Sequence, residues 1–280
     1  MMLTELTEIA ERYPSGKAGA LARLAADFPV PPFVVLEAPL GESADRVSGS
    51  IPSGLDEFVE SAGGIVAVRS SASAEDSAHA SFAGLFETVL GVTRTTLRAA
   101  IERVQRSLNA QRVSEYVAAR GLDPEDLSMA VVVQQMVHAA SAGVAFSRYD
   151  PVDDDVTIEA VHGLGDGLVS GRLTPDRYLY GRLSGAVSVA SIAYQATYQA
   201  YHDGLVVSRV VPPADRNARK LTDSQVREVG LLALQVESAM DYVSADVEWA
   251  YGPGDSELFL LQARPYTGYS PKELEVTDGL

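Results

Sequence analysis

The sequence predicts an α+β protein made of two lobes, and three observations support this. The chain has 280 residues, enough for two lobes of roughly 100–150 residues each. Helical and strand-like patterns mix along it without an internal repeat, and their character changes near residue 125. Two segments rich in chemically useful groups, 67–92 and 246–264, fall in different halves.

The elements read in order. Residues 3–12 predict a helix, with Leu3, Leu6 and Ile9 at helical spacing. Pro14, Ser15 and Gly16 form a loop that leaves Lys17 just before a second helix at 18–27. A short strand at 30–37 lies between prolines, 41–53 is polar and loop-like, and 55–61 is helical. An apolar strand at 64–70 runs into a small-residue loop, and 95–120 is a long helix stopped by Gly121 and Pro124. Strands follow at 129–137, 143–147, 155–161, 172–180, 186–193 and 205–211. Thr222 or Asp223 caps a helix reaching about Met240, and strands 243–251 and 257–264 flank the turn GPGDS. The implied division is a lobe at 1–125, a second at 126–270 and a loose tail at 271–280.

Composition narrows the function. Hydrophobic residues make up 46% of the chain, enough for a full core, and there is no Cys. Disulfides, thiolate metal sites and a Cys nucleophile are excluded, and a cytoplasmic location is expected. The amino terminus lacks the pattern of a secretory leader, and no apolar run approaches the ~18 residues of a membrane helix. A formal charge of −16 argues against nucleic acid as main partner, but not against a nucleotide held by a few local cations and a metal ion.

Two segments carry the chemistry. AVRSSASAEDSAHASFAGLFETVLGV, from Ala67 to Val92, places Arg69 at the end of an apolar strand before a loop of hydroxyls, small residues and Gly84. Backbone N–H groups in such a loop suit a phosphate-bearing ligand. In the carboxyl-terminal hairpin, residues two apart share a strand face. That puts Asp246 and Glu248 opposite Gln262 and Arg264, oxygen ligands suited to Mg²⁺ beside a cation suited to a transferring phosphoryl group. The alternative is a solvated face with a surface ion pair. Lys17 fails the P-loop pattern, and HGLGDGLVSG (162–171) is not a dinucleotide fingerprint but a tight, backbone-exposing loop. His79, His138, His162 and His202 show no metal-ligand spacing.

Five blocks then match a known family in order: SGKAGALARL, AVRSSASAEDSAHASFAGLFET, VVVQQMV with SAGVAFSRYDP, HGLGDGLVSGRLTPDRY, and DVEWA with LFLLQARPYT. The chain resembles the amino-terminal nucleotide-binding domain of phosphoenolpyruvate synthase and pyruvate phosphate dikinase, also present in rifampicin phosphotransferase. The resemblance implies an ATP-grasp-like fold with ATP between two α+β lobes. By position, Lys17 and Arg69 would contact phosphates. The segment 81–88 would cover them, with Gly84 and Thr88 closest. Gln134, Met136 and Val137 would line the adenine slot, and Asp166 would lie near the ribose. Glu248 and Gln262, with help from Asp246, would hold Mg²⁺, and Arg264, with Lys17 and Arg69, would be catalytic.

The resemblance implies an ATP-dependent phosphotransferase that forms AMP, passes the β-phosphate to an acceptor and releases the γ-phosphate. The family's swivelling phosphohistidine domain is not recognisable in these 280 residues, so the acceptor is expected to be a small molecule or a separate phosphohistidine protein. Ser15, Ala18, Leu85 and Asp166 depart from the family's usual residues. Two alternatives remain: a ligase that activates a carboxylate as acyl phosphate and forms ADP, and a nucleotide-binding subunit without turnover.

Overall fold

Two large antiparallel sheets, of four and six strands, and two separate two-stranded pairs make up the β-structure of the described residues. The computed structural model describes residues 3–37, 54–72, 76–77, 80–81, 87–108, 129–149, 155–202, 205–255 and 257–268. Helices α1 (Leu3–Arg12) and α2 (Gly16–Leu24) lead to β1 (Phe33–Glu37), α3 (Leu55–Ser61) and β2 (Val66–Ala72). A two-residue pair, β3 (Asp76–Ser77) and β4 (Ala80–Ser81), precedes β5 (Thr88–Val92), α4 (Leu97–Leu108) and β6 (Met129–Gln135). Then come β7 (Ser141–Phe146), β8 (Asp155–His162), α5 (Asp166–Val169), β9 (Asp176–Gly181), β10 (Val187–Ser191), β11 (Thr197–His202) and β12 (Leu205–Val210). Helix α6 (Asp223–Ala239) and the hairpin β13 (Ala245–Tyr251)–β14 (Leu258–Pro265) complete the order.

The first sheet runs β1-β6-β2-β5 and is covered on both faces. Strand β6 shows why: Val131 and Val133 join the core under α3 and α4, while Ala130 and Val132 join the one under α1 and α2. Period-two alternation thus feeds two apolar layers, and β2 is buried at every position. The second sheet runs β10-β9-β8-β7-β13-β14, with α6 packed on it through Val226, Val229 and Val236. Thr222 and Gln225 close a reciprocal capping box at the start of α6. Leu21 of α2 belongs to the first sheet's core and Leu24 to the second's, so this short helix ties the two together. The architecture is α+β, with the four-stranded and six-stranded sheets facing a common cleft.

Several elements differ from the sequence reading. Helix α2 starts at Gly16, so Lys17 lies in its first turn rather than in a loop. Gly16 has φ +78°, and the Ala18 N–H donates to Ser71 Oγ at 3.0 Å, which seats the helix start on the end of β2. Strands β5 and β11 were not foreseen. The strand read at 129–137 ends at Gln135 and pairs inside the first sheet, and the chain changes sheets between Gln135 and Ser141. The strand read at 172–180 begins at Asp176. The long helix is described only to Leu108, and the tail from residue 269 lies outside the described residues.

One polar knot lies inside the second lobe. The Asp176 carboxylate accepts from Tyr178 Oη (2.7 Å), Ala193 N (2.8 Å), Lys220 N (3.0 Å) and Lys220 Nζ (2.8 Å). Lys220 and Asp176 side chains are 1% and 0% exposed, so neither charge has water to fall back on. Burial, and then the neighbouring carboxylate, pushes the Tyr178 phenol up to about 12.

Replacing Lys220 with Met should strand the buried carboxylate and cost ~3–5 kcal/mol of stability, read from urea unfolding. A loss below ~1 kcal/mol would show that the pair does not hold the lobe.

Candidate functional site

A cavity of about 450 Å³ opens where the two sheets face each other. Strand β2 presents Arg69 to it, β6 and the residues after it Gln134, Met136 and Val137, and the hairpin Glu248, Gln262 and Arg264. Lys17, Thr88 and Asp166 complete the predicted set on its wall. Asp246 is not on that wall, and Gly84, with the rest of 82–86, lies outside the described residues.

Arg69 is the centre of the geometry. Its residue is 8% exposed, so its charge must be met by protein groups. Nη2 donates to Glu248 Oε2 at 2.8 Å and to Gln262 Oε1 at 2.5 Å. Nη1 donates to Gln134 Oε1 at 3.2 Å and to the Leu261 carbonyl at 2.9 Å. The last contact comes from a register change: Glu248 faces Gln262 but Trp249 faces Leu260, leaving Leu261 unopposed. Such a bulge turns a backbone carbonyl out of the ladder, here onto the guanidinium. Arg69 Nε and Gln134 Nε2 are buried and make no hydrogen bond.

In the hairpin, Asp246 lies across from Arg264 and Glu248 across from Gln262. The carboxylates do not act alike. Asp246 Oδ2 accepts from Arg264 Nε at 2.8 Å, and Arg264 Nη2 stands 2.7 Å from the same oxygen as an ion pair. Burial pushes the Asp246 carboxyl above its ordinary range, and the Arg264 charge opposes that shift.

Glu248 Oε2 and Gln262 Oε1 converge on one cationic nitrogen, a donor pair that fits a hard divalent ion. Among the described residues, no three His, Cys, Asp or Glu side chains gather to hold a metal. A metal here would therefore complete its shell with water and ligand oxygens.

One wall of the cavity follows β6. The Met136 N–H donates to the Ile65 carbonyl at 3.3 Å, and Met136 Sδ accepts from Gly91 N at 3.3 Å. Thr88 is the cross-strand partner of Arg69 in β5. Asp166 opens α5 and ion-pairs with Arg172. The Gly-rich loop after β8 is tight, as expected: Gly163 has φ +75°, and a Cβ there would meet the Gln199 carbonyl at 2.3 Å.

Sequence reading missed the Leu261 carbonyl, because a backbone group carries no side-chain signal. It also missed Gly143, whose cue was a glycine inside a strand. A Cβ there would lie 1.8 Å from the Glu159 carbonyl and 2.6 Å from Trp249 Cζ2, so only glycine lets β7 pass at this wall. A neighbouring hollow of about 480 Å³ shares Ala139 and is lined by His138, His162, Tyr198, Tyr201 and Arg209, among others. Burial, and then the Lys220 ammonium, holds the His162 imidazole below 6.5.

Residues 17–278 match a family model described as pyruvate phosphate dikinase, AMP/ATP-binding domain. The chain is 37% identical over 218 residues to a probable phosphoenolpyruvate synthase of Archaeoglobus fulgidus, covering 76% of this chain and 28% of that one. It is 34% identical over 255 residues to the prodigiosin synthesizing transferase PigC of Serratia marcescens, covering 86% and 28%. It is 32% identical over 243 residues to the uncharacterized phosphotransferase YvkC of Bacillus subtilis, covering 81% and 29%. The chain thus spans less than a third of the length of these curated relatives. Among solved structures, PH1788 from Pyrococcus horikoshii overlays with a TM-score of 0.44 at 13% identity, covering 95% of this chain and all of that one. Among the described residues, no helix is long and apolar enough to cross a membrane.

The lowered His162 value has a definite sign. Stability present above 6.5 is lost as pH falls through the lowered value, because the folded state resists the proton. Relative to the variant His162→Gln, the native chain should lose stability between about pH 7 and about pH 5. Parallel urea midpoints for the two proteins across that range would contradict this.

Proposed function

Because the chain belongs to the pyruvate phosphate dikinase AMP/ATP-binding family, a family of ATP-using phosphotransfer enzymes, we propose that it is a Mg-ATP-dependent phosphotransferase that forms AMP. The observation that carries this reading is the convergence of Lys17, Arg69, Glu248, Gln262 and Arg264 on one cavity, beside the Gln134–Val137 wall.

In this reading adenine lies along Gln134, Met136 and Val137, with its edge toward the backbone. Asp166 sits near the ribose, where its partner Arg172 sets its direction. The polyphosphate runs toward Lys17, Arg69 and Arg264, three cations at one end of the cavity. Thr88, at the start of β5 beside Arg69, bounds the same end, and Gly84 belongs to the segment that would cover it. Glu248 and Gln262 would hold Mg²⁺, which supplies charge neutralisation on the phosphate oxygens. Arg264 stabilises charge on the transferring phosphoryl group, and Asp246 keeps its guanidinium aimed by a hydrogen bond and an ion pair. Such a site works by position and electrostatics rather than by a covalent intermediate with the protein. The acceptor is a small molecule or a phosphohistidine side chain.

Nucleotide products separate the readings. Incubation with Mg-ATP and candidate acceptors should accumulate AMP. ADP as sole product would favour carboxylate activation, and tight ATP binding without turnover would favour a non-catalytic nucleotide-binding subunit.

Two variants test the roles. Arg264→Ala should lower kcat ~10²–10³-fold while ATP affinity changes little, since its bond forms with the transition state. A raised KM at unchanged kcat would remove that role. Glu248→Ala should raise the Mg²⁺ concentration needed for ATP binding, measured by calorimetry across a magnesium series. An unchanged magnesium dependence would take Glu248 out of the metal site.

A further inference from the structure

We propose that Arg69 competes with the metal for its binding face: its guanidinium holds Glu248 and Gln262, and a divalent ion reaches those oxygens only with a polyphosphate that draws the guanidinium away. The inference rests on the metal site proposed above and adds an order of binding to it.

The contacts lead there directly. Nη2 sits between the two oxygens at 2.8 and 2.5 Å. An ion at the ~2.0–2.1 Å distance of Mg²⁺ from Gln262 Oε1 and Glu248 Oε2 would crowd the nitrogen that already stands 2.5 and 2.8 Å from those same oxygens. The guanidinium cannot shed its charge, and at 8% exposure little water lies between it and an incoming cation. The two cations therefore exclude each other.

Metal alone has little with which to displace the arginine. Among the described residues no third His, Cys, Asp or Glu joins a cluster there. Asp246 is engaged with Arg264 through a hydrogen bond and an ion pair.

A polyphosphate changes the balance. Arg69 lines the same cavity as Lys17 and Arg264, so phosphate oxygens there would offer it charged acceptors. Its Nε makes no hydrogen bond in the present arrangement, so that arrangement does not exhaust its donors. Strand β2 is buried throughout, which confines the exchange to the side chain. Each phosphate bond gained by Arg69 frees an oxygen for the metal, so the two ligands enter together.

Mn²⁺ binding, followed by electron paramagnetic resonance, tests this without turnover. The native chain should bind Mn²⁺ only weakly at its Glu248-dependent site without nucleotide, and tightly there with a non-hydrolysable ATP analogue. Arg69→Met should bind one Mn²⁺ without nucleotide at least ~10-fold more tightly than the native chain, a gain of ~1.4 kcal/mol. The gain should vanish when Glu248→Gln is added. Arg69→Lys, which keeps the positive charge, should not show it. If the Met variant does not fold, Arg69→Gln replaces it. Two results would overturn the inference: a native chain that binds Mn²⁺ alone at a Glu248-dependent site as tightly as the charge-free variant, or a charge-free variant that gains nothing. Loss of Glu248 dependence in the presence of the analogue would instead overturn the metal site itself.

Discussion

A guanidinium buried between two sheets sets the terms for the rest of the molecule. Arg69 grows from the first sheet, yet three of its four hydrogen bonds end on the hairpin of the second. A buried charge is tolerated only when its hydrogen-bonding partners are supplied in the right places. That requirement fixes the opposition of Glu248 and Gln262, the unopposed Leu261 and the side chain of Gln134. The same demand that organises the cleft fills it with groups suited to phosphate and metal. Stability and chemistry draw here on one set of atoms.

Helix α2 is the second joint. Its nine residues bury apolar side chains in both cores and deliver Lys17 to the cavity from the first turn. Glycine makes that delivery possible. A Cβ at Gly16 would sit 2.5 Å from the Ala72 carbonyl, and one at Gly19 would sit 1.7 Å from the Tyr13 carbonyl. The ammonium therefore reaches the cleft through close backbone approach rather than through a long loop.

Much of this was legible in the sequence where periodicity decides. Strand period put Asp246 and Glu248 on one face opposite Gln262 and Arg264, while the pairing of each with each is set by the hairpin register. Other features depend on context that period does not carry. Strand β5 follows a small-residue run with no turn residue to mark its start. Strand β11 alternates weakly, and only the Asp203-Gly204 pair after it hints at a hairpin. Lys17 read as a loop residue because proline and glycine usually end structure, whereas here they precede a helix start pinned by Ser71. Asp246 and Glu248 look equivalent in sequence. They diverge only because Arg264 reaches back to one and Arg69 reaches across to the other.

The five residues between Gln135 and Ser141 carry the only covalent crossing from one sheet to the other among the described elements. Their backbone is tied to both sides, with Met136 bonded to Ile65 and Ala140 to Tyr251. Mechanically, this strip is the spine of a book whose covers are the two sheets. Anything seated along the spine moves little when the covers part. Gln134, just before this strip, accepts from Arg69, so the guanidinium is anchored beside the binding of the book.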